Sequence, residues 1–491
     1  MAPVTFNEVP ANLRIPYQAV ELDASQASQG PGLLPYRHLI LGQKLSGGSA
    51  TANTLYRVTS AAQVIPLAGR GSMLHRQAIA HFKANRETEC WIGVLADDGA
   101  GVAAAGTITV TGPATADGTI SLYIGGELVP VGVLAGDEDT DIADAIDAAI
   151  NANPDLAVTS SVADEVVTIT YRHKGEVGNG YDMRHSYADG QALPAGVGLA
   201  FVQLTGGTTN PALATLIANM GNSWFHVWAH GYTDATSLAA IENELSSRSG
   251  PMRQMMGVAI TSAEGSHSAL TTLGDGRNSG FSVILAQPGQ NPITPPIEFA
   301  AVAAALISKE GARQPNRPLQ TVAMPHVLPP IEVDRFDPEE RNLLLYDGIG
   351  TTVVGPGGVV QLERVVTTYQ ENAAGAPDDA YLDVTTVLTL MLLRYTWRTR
   401  LQTNYPRHLL ASDGTKVGPG QPVMTPKLGK AEALLWFEDM QDLTLVEGFE
   451  QFKAELVAER NVSDPNRMDW RLPPDLVNQF IVGATQLAFR L

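Results

Sequence analysis

"PALATLIANM" (211–220) has the spacing of an amphipathic helix, and the next segment, "SWFHVWAH" (223–230), is a short apolar run typical of a buried strand. The pair is repeated at once by the helical "ATSLAAIENELSS" (235–247) and the strand-like "QMMGVAI" (254–260). Strands separated by helices of this length predict a mostly parallel sheet that helices cover on both faces.

The same alternation continues on both sides of this stretch. Upstream lie the strand "HLILG" (38–42), the amphipathic helix "SMLHRQAIAHFKAN" (72–85) and the strand "ECWIGVLA" (89–96). Downstream, "GFSVILA" (280–286) is a further strand and residues 296–308 form a helix. We therefore predict a discontinuous α/β core domain made of residues 33–100 and 206–330.

Residues 101–205 interrupt the core with a different pattern. "GTITVTG" (106–112) and "EVVTITYRH" (165–173) alternate apolar and polar residues as half-buried strands do, and one helix, "TDIADAIDAAINANP" (140–154), lies between them. Asp and Glu greatly outnumber Lys and Arg in this interruption. It predicts an acidic, β-rich domain inserted into a loop of the core.

Residues 331–474 predict a third domain of the α+β class. Its long helix, "DAYLDVTTVLTLMLLRYTWRTRLQ" (379–402), carries an apolar stripe and ends in a cluster of Arg394, Arg398 and Arg400. Cations suit the C-terminal end of a helix dipole, so one interpretation is a solvated or internally paired helix face. The other is a basic patch that binds an acidic partner.

The final stretch, "DLVNQFIVGATQLAFRL" (475–491), predicts a strand that is apolar on both faces. One face carries Phe480 and Val482, and the other carries Ile481, Leu487, Phe489 and Leu491. Such a strand is typical of the interior of a sheet and not of a solvated edge. It can close the sheet of its own domain or add to the sheet of another subunit, and the pattern alone leaves both interpretations open.

Composition excludes several classes of protein. The 491 residues carry a formal net charge of −19, which argues against a nucleic-acid backbone or an anionic membrane as the main partner. A single cysteine, Cys90, allows no intramolecular disulfide and fits assembly in a reducing cytoplasm. The first residues predict no signal peptide, and no apolar run is long enough to span a membrane.

A catalytic or metal site is not predicted. His226 and His230 are four residues apart, but they lie in a strand pattern and lack the Glu that follows the first His of a zinc protease, so we predict a structural or interface role. Ser279 has no His or Asp placed around it by a motif. The acidic run Asp137–Asp141 lacks the calcium-loop pattern and fits a helix start. We predict no catalytic residues, no metal and no cofactor.

Two stretches carry a resemblance to a known family. The opening "TFNEVPANLRIPYQAVELDAS" (5–25) and the C-terminal part, from "RNLLLYDGIGTTVV" (341–354) to the end, resemble the sheath proteins of Mu-like bacteriophages with contractile tails. The order of parts is also similar: an extended arm of residues 1–32, an α/β core, an inserted β domain, a C-terminal α+β domain and a terminal strand arm of residues 475–491.

The resemblance implies a subtilisin-like α/β core without the catalytic triad and a structural function. Such proteins stack as hexameric rings around a tail tube, then contract and drive the tube through the host envelope for genome delivery. The implied partners are further copies of this chain, the tail tube protein, and baseplate and tail terminator proteins, with assembly in the bacterial cytoplasm and a final place in the virion tail. Neither direct nucleic-acid binding nor stable membrane insertion is implied.

The resemblance also implies which residues join subunits, because the family's terminal arms add strands to a neighbour's sheet. In the C-terminal arm and the N-terminal arm these are Phe480, Ile481, Val482, Thr485, Leu487, Phe489 and Leu491, and Arg14, Ile15, Tyr17, Val20 and Leu22. The C-terminal domain would face the tube, which makes Arg394, Arg398 and Arg400 candidates for tube contact, while the inserted domain would point outward. The alternatives are an α/β enzyme with an accessory β domain and a monomeric binding module.

Overall fold

A computed structural model describes residues 34–490 of the chain. These residues divide into two compact units. The larger unit comprises residues 35–392 and 478–490, and the smaller unit comprises residues 393–477 together with Leu34. The predicted N-terminal arm lies outside the described residues.

The larger unit alternates strands and helices through most of its length. Its elements, in chain order, are β1 Arg37–Gln43, β2 Leu55–Val58, α1 Ala61–Ala68, α2 Met73–Ala84, β3 Glu89–Leu95, β4 Ala103–Thr111, β5 Gly118–Ile124, β6 Glu127–Val133, α3 Asp139–Ala152, β7 Val158–Ala163, β8 Val166–Lys174, β9 Met183–His185, β10 Gly198–Thr205, α4 Ala214–Met220, β11 Val227–Ala229, α5 Ala235–Ser249, β12 Val258–Ala263, α6 His267–Asp275, β13 Ser282–Ala286, α7 Pro296–Arg313, α8 Pro338–Tyr346, β14 Ile349–Val354 and β15 Val360–Arg364.

The smaller unit is built from helices and very short strands. Its elements are the C-terminal part of α9 Val384–Asn404, then β16 Leu409–Leu410, β17 Val423–Met424, α10 Pro426–Asp442, β18 Val446–Glu447, α11 Phe449–Glu455, β19 Val457–Arg460, β20 Met468–Arg471 and β21 Asp475–Leu476. The residues beyond Leu476 form neither helix nor strand as far as Arg490.

The centre of the larger unit is a sheet with the strand order β15-β14-β13-β12-β11-β1-β3-β2 within the described residues. The six strands from β14 to β3 pair in parallel, and the two edge strands, β15 and β2, pair antiparallel to their neighbours. The sheet predicted from the alternating pattern is therefore mostly parallel.

Both faces of this sheet are covered, as the alternation of side chains along β1 illustrates. Leu39 and Leu41 point to the face where α4 and α5 pack, in one cluster with Leu216 and Leu245. Gly42 faces the other way, toward Leu74 and Gln77 of α2, where a side chain on Gly42 would collide with the Gln77 amide. The long helix α7 is buried along most of its length against α2 and the strands.

Residues 103–205, which lie between β3 and α4 in the chain and are called the inserted domain below, contain a four-stranded sheet (β10-β4-β8-β7), a three-stranded sheet (β6-β5-β9) and α3. Strand β8 shows why it folds this way, because Val167, Ile169 and Tyr171 alternate inward into one buried cluster. The isoleucines of α3, at positions 142, 146 and 150, complete that cluster from one side of the helix.

The smaller unit has an aromatic core. The Trp397 and Trp436 rings lie 5.6 Å apart at a steep angle, and the Phe437 and Phe452 rings stack at 4.3 Å, which joins α9, α10 and α11. The pattern from Phe449 to Arg460 is helical by sequence, but α11 ends at Glu455 and β19 follows. Pairing of β19 with β20 overrides the local helix propensity there.

Candidate functional site

The most unusual surface of the described chain is its C-terminal tail, residues 477–490. The exposed fractions of four large apolar side chains are 78% for Phe480, 79% for Val482, 87% for Leu487 and 78% for Phe489. No strand of the described residues pairs with any of these positions. A soluble chain rarely leaves such a row of apolar groups in water unless another molecule covers it.

The tail differs from the prediction in two respects. Asp475 and Leu476, predicted as the start of the free arm, pair as β21 with Val446 and Glu447 of the same chain. Asp475 and Leu476 are therefore part of the smaller unit, and the free arm begins after Leu476. Ile481 is only partly exposed, whereas the other described candidates of the arm are exposed, and Leu491 lies outside the described residues.

Gln479 and Ile481 explain the partial burial at the start of the tail. The Gln479 side-chain amide donates a hydrogen bond to the hydroxyl of Thr385, in the first turn of α9. Ile481 lines the same small pocket, together with Leu319 and Val365. Residues 479 and 481 of the tail thus contact the rest of the larger unit, and the residues that follow are exposed.

One antiparallel hairpin in the smaller unit offers unpaired backbone edges. Strands β19 and β20 pair antiparallel over four positions, from Val457 opposite Arg471 to Arg460 opposite Met468. In the part of the chain that the structure describes, neither strand has a second neighbour. Unpaired main-chain edges of this kind accept an added strand from another chain.

The three candidate arginines are not equivalent. Arg400 forms ion pairs with Glu432 and Asp439, and Glu432 also accepts a hydrogen bond from the Tyr405 hydroxyl at 2.6 Å. Burial opposes the charge of Arg400, but the hydrogen bonds that its guanidinium donates to Glu432 and Asp439, together with the negative charges of these carboxylates, outweigh burial and raise the pKa of Arg400. Arg394 and Arg398 are half-buried, and each has an interaction partner. The alternative of internal pairing therefore holds for Arg400.

Residues 103–205 lie against the carboxyl ends of β1, β3 and β12, the edge at which an α/β enzyme would hold its active site, because Gln43 and Asp97 contact β8 and Glu264 lies against Gly180. There His173 of β8 lies 2.8 Å from Asp97 through Nδ1, and its Nε2 accepts a hydrogen bond of 3.0 Å from the backbone of Met73. Gln43 donates to the same carboxylate at 2.8 Å. Both ring nitrogens are thus occupied by structural contacts. No sequence motif points to this His–Asp pair, because strand order alone brings the two residues together.

A network of ion pairs centred on the buried Arg76 joins the inserted domain to the core. The Arg76 guanidinium contacts Glu298 of α7 at 2.7 and 3.1 Å and Glu127 of β6 at 2.8 Å. Its side chain is 3% exposed. Arg70 and Asp155 form a second bridge across the same boundary, with two contacts of 2.5 and 2.9 Å. These pairs hold the inserted domain against the core.

One carboxylate at this boundary has no such partner. Glu264, directly after β12, lies in a cleft of about 400 Å³ against Gly180, with Asp182 and Arg184 in the opposite wall. Burial, and then the negative charge of Asp182, raise the pKa of Glu264 to about 7. Arg184 does not neutralise Glu264, because its two contacts of 2.6 and 2.8 Å go to Asp182.

The other residues tested from sequence have structural roles. His226 accepts a hydrogen bond from the backbone of Arg37 and stacks against Tyr36 and Trp224, and burial lowers its pKa to about 3. His230 is also buried, which lowers its pKa to about 4. Burial raises the pKa of the Cys90 thiol and leaves it inert.

Further candidates for chemistry are accounted for in the same way. The backbone of Ser279 donates to Thr368, and the hydroxyl of Ser279 accepts from Phe281, so it has no catalytic partner. Asp141 caps the start of α3 by accepting from the backbone of Glu138. Among residues 34–490, no three His, Cys, Asp or Glu side chains are placed to hold a metal ion, and no helix has the length and hydropathy needed to cross a membrane.

Comparison with known proteins gives matches along most of the chain. The family described as "Phage tail sheath protein central domain" matches residues 206–368, "Phage tail sheath C-terminal domain" matches residues 376–489, and "Phage tail sheath protein beta-sandwich domain" matches residues 99–198. The Mu-like prophage FluMu tail sheath protein of Haemophilus influenzae is 37% identical over 489 residues, which cover 99% of this chain and 100% of that protein.

Solved structures add more distant likenesses. The sheath tail protein of Desulfitobacterium hafniense is 12% identical, with 94% of this chain and 100% of that chain covered and a TM-score of 0.47. The PVC sheath complex of an extracellular contractile injection system, in its contracted state, is 8% identical, with 97% and 98% covered and a TM-score of 0.48.

Proposed function

The chain belongs to the phage tail sheath protein family, and on this premise we propose that it polymerises as hexameric rings around a tail tube and contracts to drive that tube through the host envelope. It is a structural subunit of a sheath in the virion tail and not an enzyme. The single observation that carries the assembly proposal is the exposed apolar tail of residues 477–490.

The proposed contact is strand addition between subunits. Phe480, Val482, Thr485, Leu487 and Phe489 would lie on an added strand, and main-chain hydrogen bonds would supply affinity while alternate side chains enter pockets. Support comes from the tail itself, which has apolar side chains on both faces and no ladder partner among the described residues. A link of this kind can persist while the subunit bodies rotate, as contraction requires.

The acceptor edge is proposed to lie in the smaller unit. β19 and β20 have free edges among the described residues, and Val462, in the turn between them, is fully exposed. The N-terminal arm, with Arg14, Ile15, Tyr17, Val20 and Leu22, is proposed as a second added strand, although these residues lie outside the described part of the chain. Heterologous contacts of one surface with a different surface generate open helical assemblies.

The partners beyond the sheath itself follow from the family and remain proposals. The tail tube protein, the baseplate and the terminator are the proposed neighbours, and the inserted domain is proposed to point outward. For the tube, Arg394 and Arg398 stay as candidates on α9. Arg400 is a weaker candidate, because its release from Glu432 would leave that buried carboxylate without a cation.

The subtilisin-like arrangement of the core and the predicted domain boundaries are likewise proposals. Six parallel strands with helices on both faces support an open α/β core of this type. The predicted boundaries, residues 33–100 and 206–330 for the core, 101–205 for the insertion and 331–474 for the C-terminal domain, remain proposals.

Negative-stain microscopy of the purified protein tests the assembly proposal. Full-length protein should form tubes or rings, and a variant that ends at Ile481 should stay dispersed while it unfolds at the same temperature as the full chain. The matched control is a variant with Gln486→Ser, which changes an exposed polar side chain of the same tail. Long sheaths formed by the truncated variant would refute strand donation by the tail.

A further inference from the structure

We propose that Gln479 and Ile481 anchor the tail to its own subunit and so act as positioning residues that fix where the free strand begins. The inference rests on the proposed strand addition, and it reassigns Phe480 and Ile481 from the added strand to the segment held by the subunit's own body, so that the free strand begins at Val482. The contacts that carry it are the hydrogen bond from Gln479 to Thr385 and the pocket that Ile481 lines.

The exposure of the tail has a period of two at this point. Gln479 and Ile481 are partly buried, whereas Phe480 and Val482 between and after them are 78% and 79% exposed. This is the pattern of an extended segment with one face on a surface. From Val482 to Arg490 the alternation ends and every described residue is exposed. The contact with the larger unit therefore stops at Ile481.

The rest of the pocket that Gln479 and Ile481 line, called the socket wall here, contains charged groups that are already paired. Arg364 at the end of β15 forms two contacts of 3.0 and 3.1 Å with Asp383. The backbone of Val384 then donates to Val365 at 3.1 Å, which fixes the start of α9 beside β15. Because both charges are neutralised within the socket wall, a neutral amide and an aliphatic side chain are the groups that suit it.

Thr385 gives the anchor its specificity. The residue is 3% exposed, and a buried hydroxyl without a partner costs free energy. The hydrogen bond from the Thr389 hydroxyl goes to the backbone carbonyl of Thr385 and does not involve the Thr385 hydroxyl. The Gln479 amide is the group that satisfies it. Loss of either side chain therefore removes the contact without breaking a helix or a strand.

The anchor sets the reach of the free strand. The ten residues 482–491 span at most about 36 Å when extended. Without the anchor, the free segment would begin after Val477, whose backbone donates to Leu445 at 3.2 Å, and would be longer and less directed. A shorter, oriented tether raises the effective concentration of the strand at an acceptor edge and reduces the entropy lost on binding.

Nitroxide labelling of the unassembled protein tests the anchor directly. Cys90 is buried, so a cysteine introduced as Phe480→Cys or Ala488→Cys is labelled selectively. The label at position 480 should be restricted and the label at 488 mobile. Gln479→Ala or Thr385→Val should make position 480 as mobile as 488, whereas the matched control Gln486→Ala should change neither. Equal mobility at both positions in the otherwise unsubstituted protein would overturn the anchor.

Assembly measurements then test the positioning role. Gln479→Ala should raise the protein concentration needed for polymerisation by about tenfold, the scale of one lost hydrogen bond. Because the buried Thr385 hydroxyl then loses its partner, the melting temperature should fall slightly. Gln486→Ala should leave that concentration unchanged. A freed label at 480 with unaltered polymerisation would overturn the positioning role. Assembly by the chain that ends at Ile481 would refute strand donation, while the mobility data would still decide whether the anchor exists.

Discussion

Two regions of the chain differ in how their side chains find partners: the boundary between the core and the inserted domain, and the C-terminal tail. At the boundary, Arg76 finds Glu298 and Glu127 within the same chain, and almost no part of its side chain meets water. In the tail, Leu487 and Phe489 find no cover among the described residues. The boundary therefore completes itself on folding, whereas the tail is completed by a second molecule in the proposed assembly.

This difference teaches where to expect effects on folding and where to expect effects on assembly. A change at the boundary removes a contact that the isolated chain already makes, so it alters the free energy of unfolding. A change in the exposed tail removes no contact of the isolated chain, so it alters the affinity between copies. A substitution at the boundary should therefore change the free energy of unfolding and not assembly, and a substitution in the exposed tail should change assembly and not the free energy of unfolding.

The largest effect is expected from the double substitution Leu487→Ser with Phe489→Ser. Burial of the two side chains between subunits is worth about 1.5–3 kcal/mol each, so polymerisation should require a protein concentration about 100-fold higher or more. Sedimentation measures that concentration. The melting temperature of the unassembled protein should not change, and a drop in it would show that the tail packs within its own chain.

Arg76→Ala should give the next largest effect, which should appear in the free energy of unfolding and not in assembly. It leaves Glu298 buried without a cation, which should lower the free energy of unfolding by about 3–5 kcal/mol. Denaturant unfolding of the unassembled protein measures it. The matched control is Glu127→Gln, which keeps the Arg76–Glu298 pair and should cost about 1 kcal/mol or less. Equal losses for both variants would contradict a buried pair at the centre of the boundary.

Glu264→Gln should give the smallest effect, which should appear as a change in how the free energy of unfolding depends on pH. Burial raises the pKa of Glu264 from its ordinary 4.5 to about 7, so the native state holds a proton that the unfolded state has released. The stability from this proton is complete below about pH 4.5 and is lost as the pH rises through about 7. Each pKa unit is worth about 1.4 kcal/mol.

Unfolding measured between pH 5 and pH 8 checks this expectation. The stability of the unsubstituted protein should fall relative to that of Glu264→Gln across the window, since glutamine cannot titrate. Glu165→Gln is a suitable control, because Glu165 is exposed and lies outside the cleft around Asp182. Parallel pH profiles for the unsubstituted protein and Glu264→Gln would show that Glu264 is not protonated in the folded state near neutral pH.

The regular elements could be predicted from sequence because their signals are local. The helix expected over residues 72–85 is α2 Met73–Ala84, with Ser72 accepting from the backbone of His75 as its cap. The helix expected over residues 140–154 is α3 Asp139–Ala152. In both cases the apolar spacing and the first-turn chemistry agree with the packing, so nothing in the tertiary structure overrides them.

The site could be predicted only in part, because its contacts depend on residues far apart in the chain. The pattern of the last residues indicated two apolar faces, but it did not indicate that Asp475 and Leu476 pair with β18 or that Gln479 reaches Thr385. The pairing of Arg400 with Glu432 was one of two open interpretations. Strand order and helix packing decide such contacts, and no local spacing encodes them.

Hydrogen exchange of the tail amides tests the central claim most directly. If residues 482–490 form an added strand in the sheath, their backbone N–H groups should exchange freely in the unassembled protein and become strongly protected in assembled tubes. The amides of β12, which pair within the sheet of the larger unit, should be protected in both states. Tail amides that exchange equally fast before and after assembly would contradict strand addition by the tail.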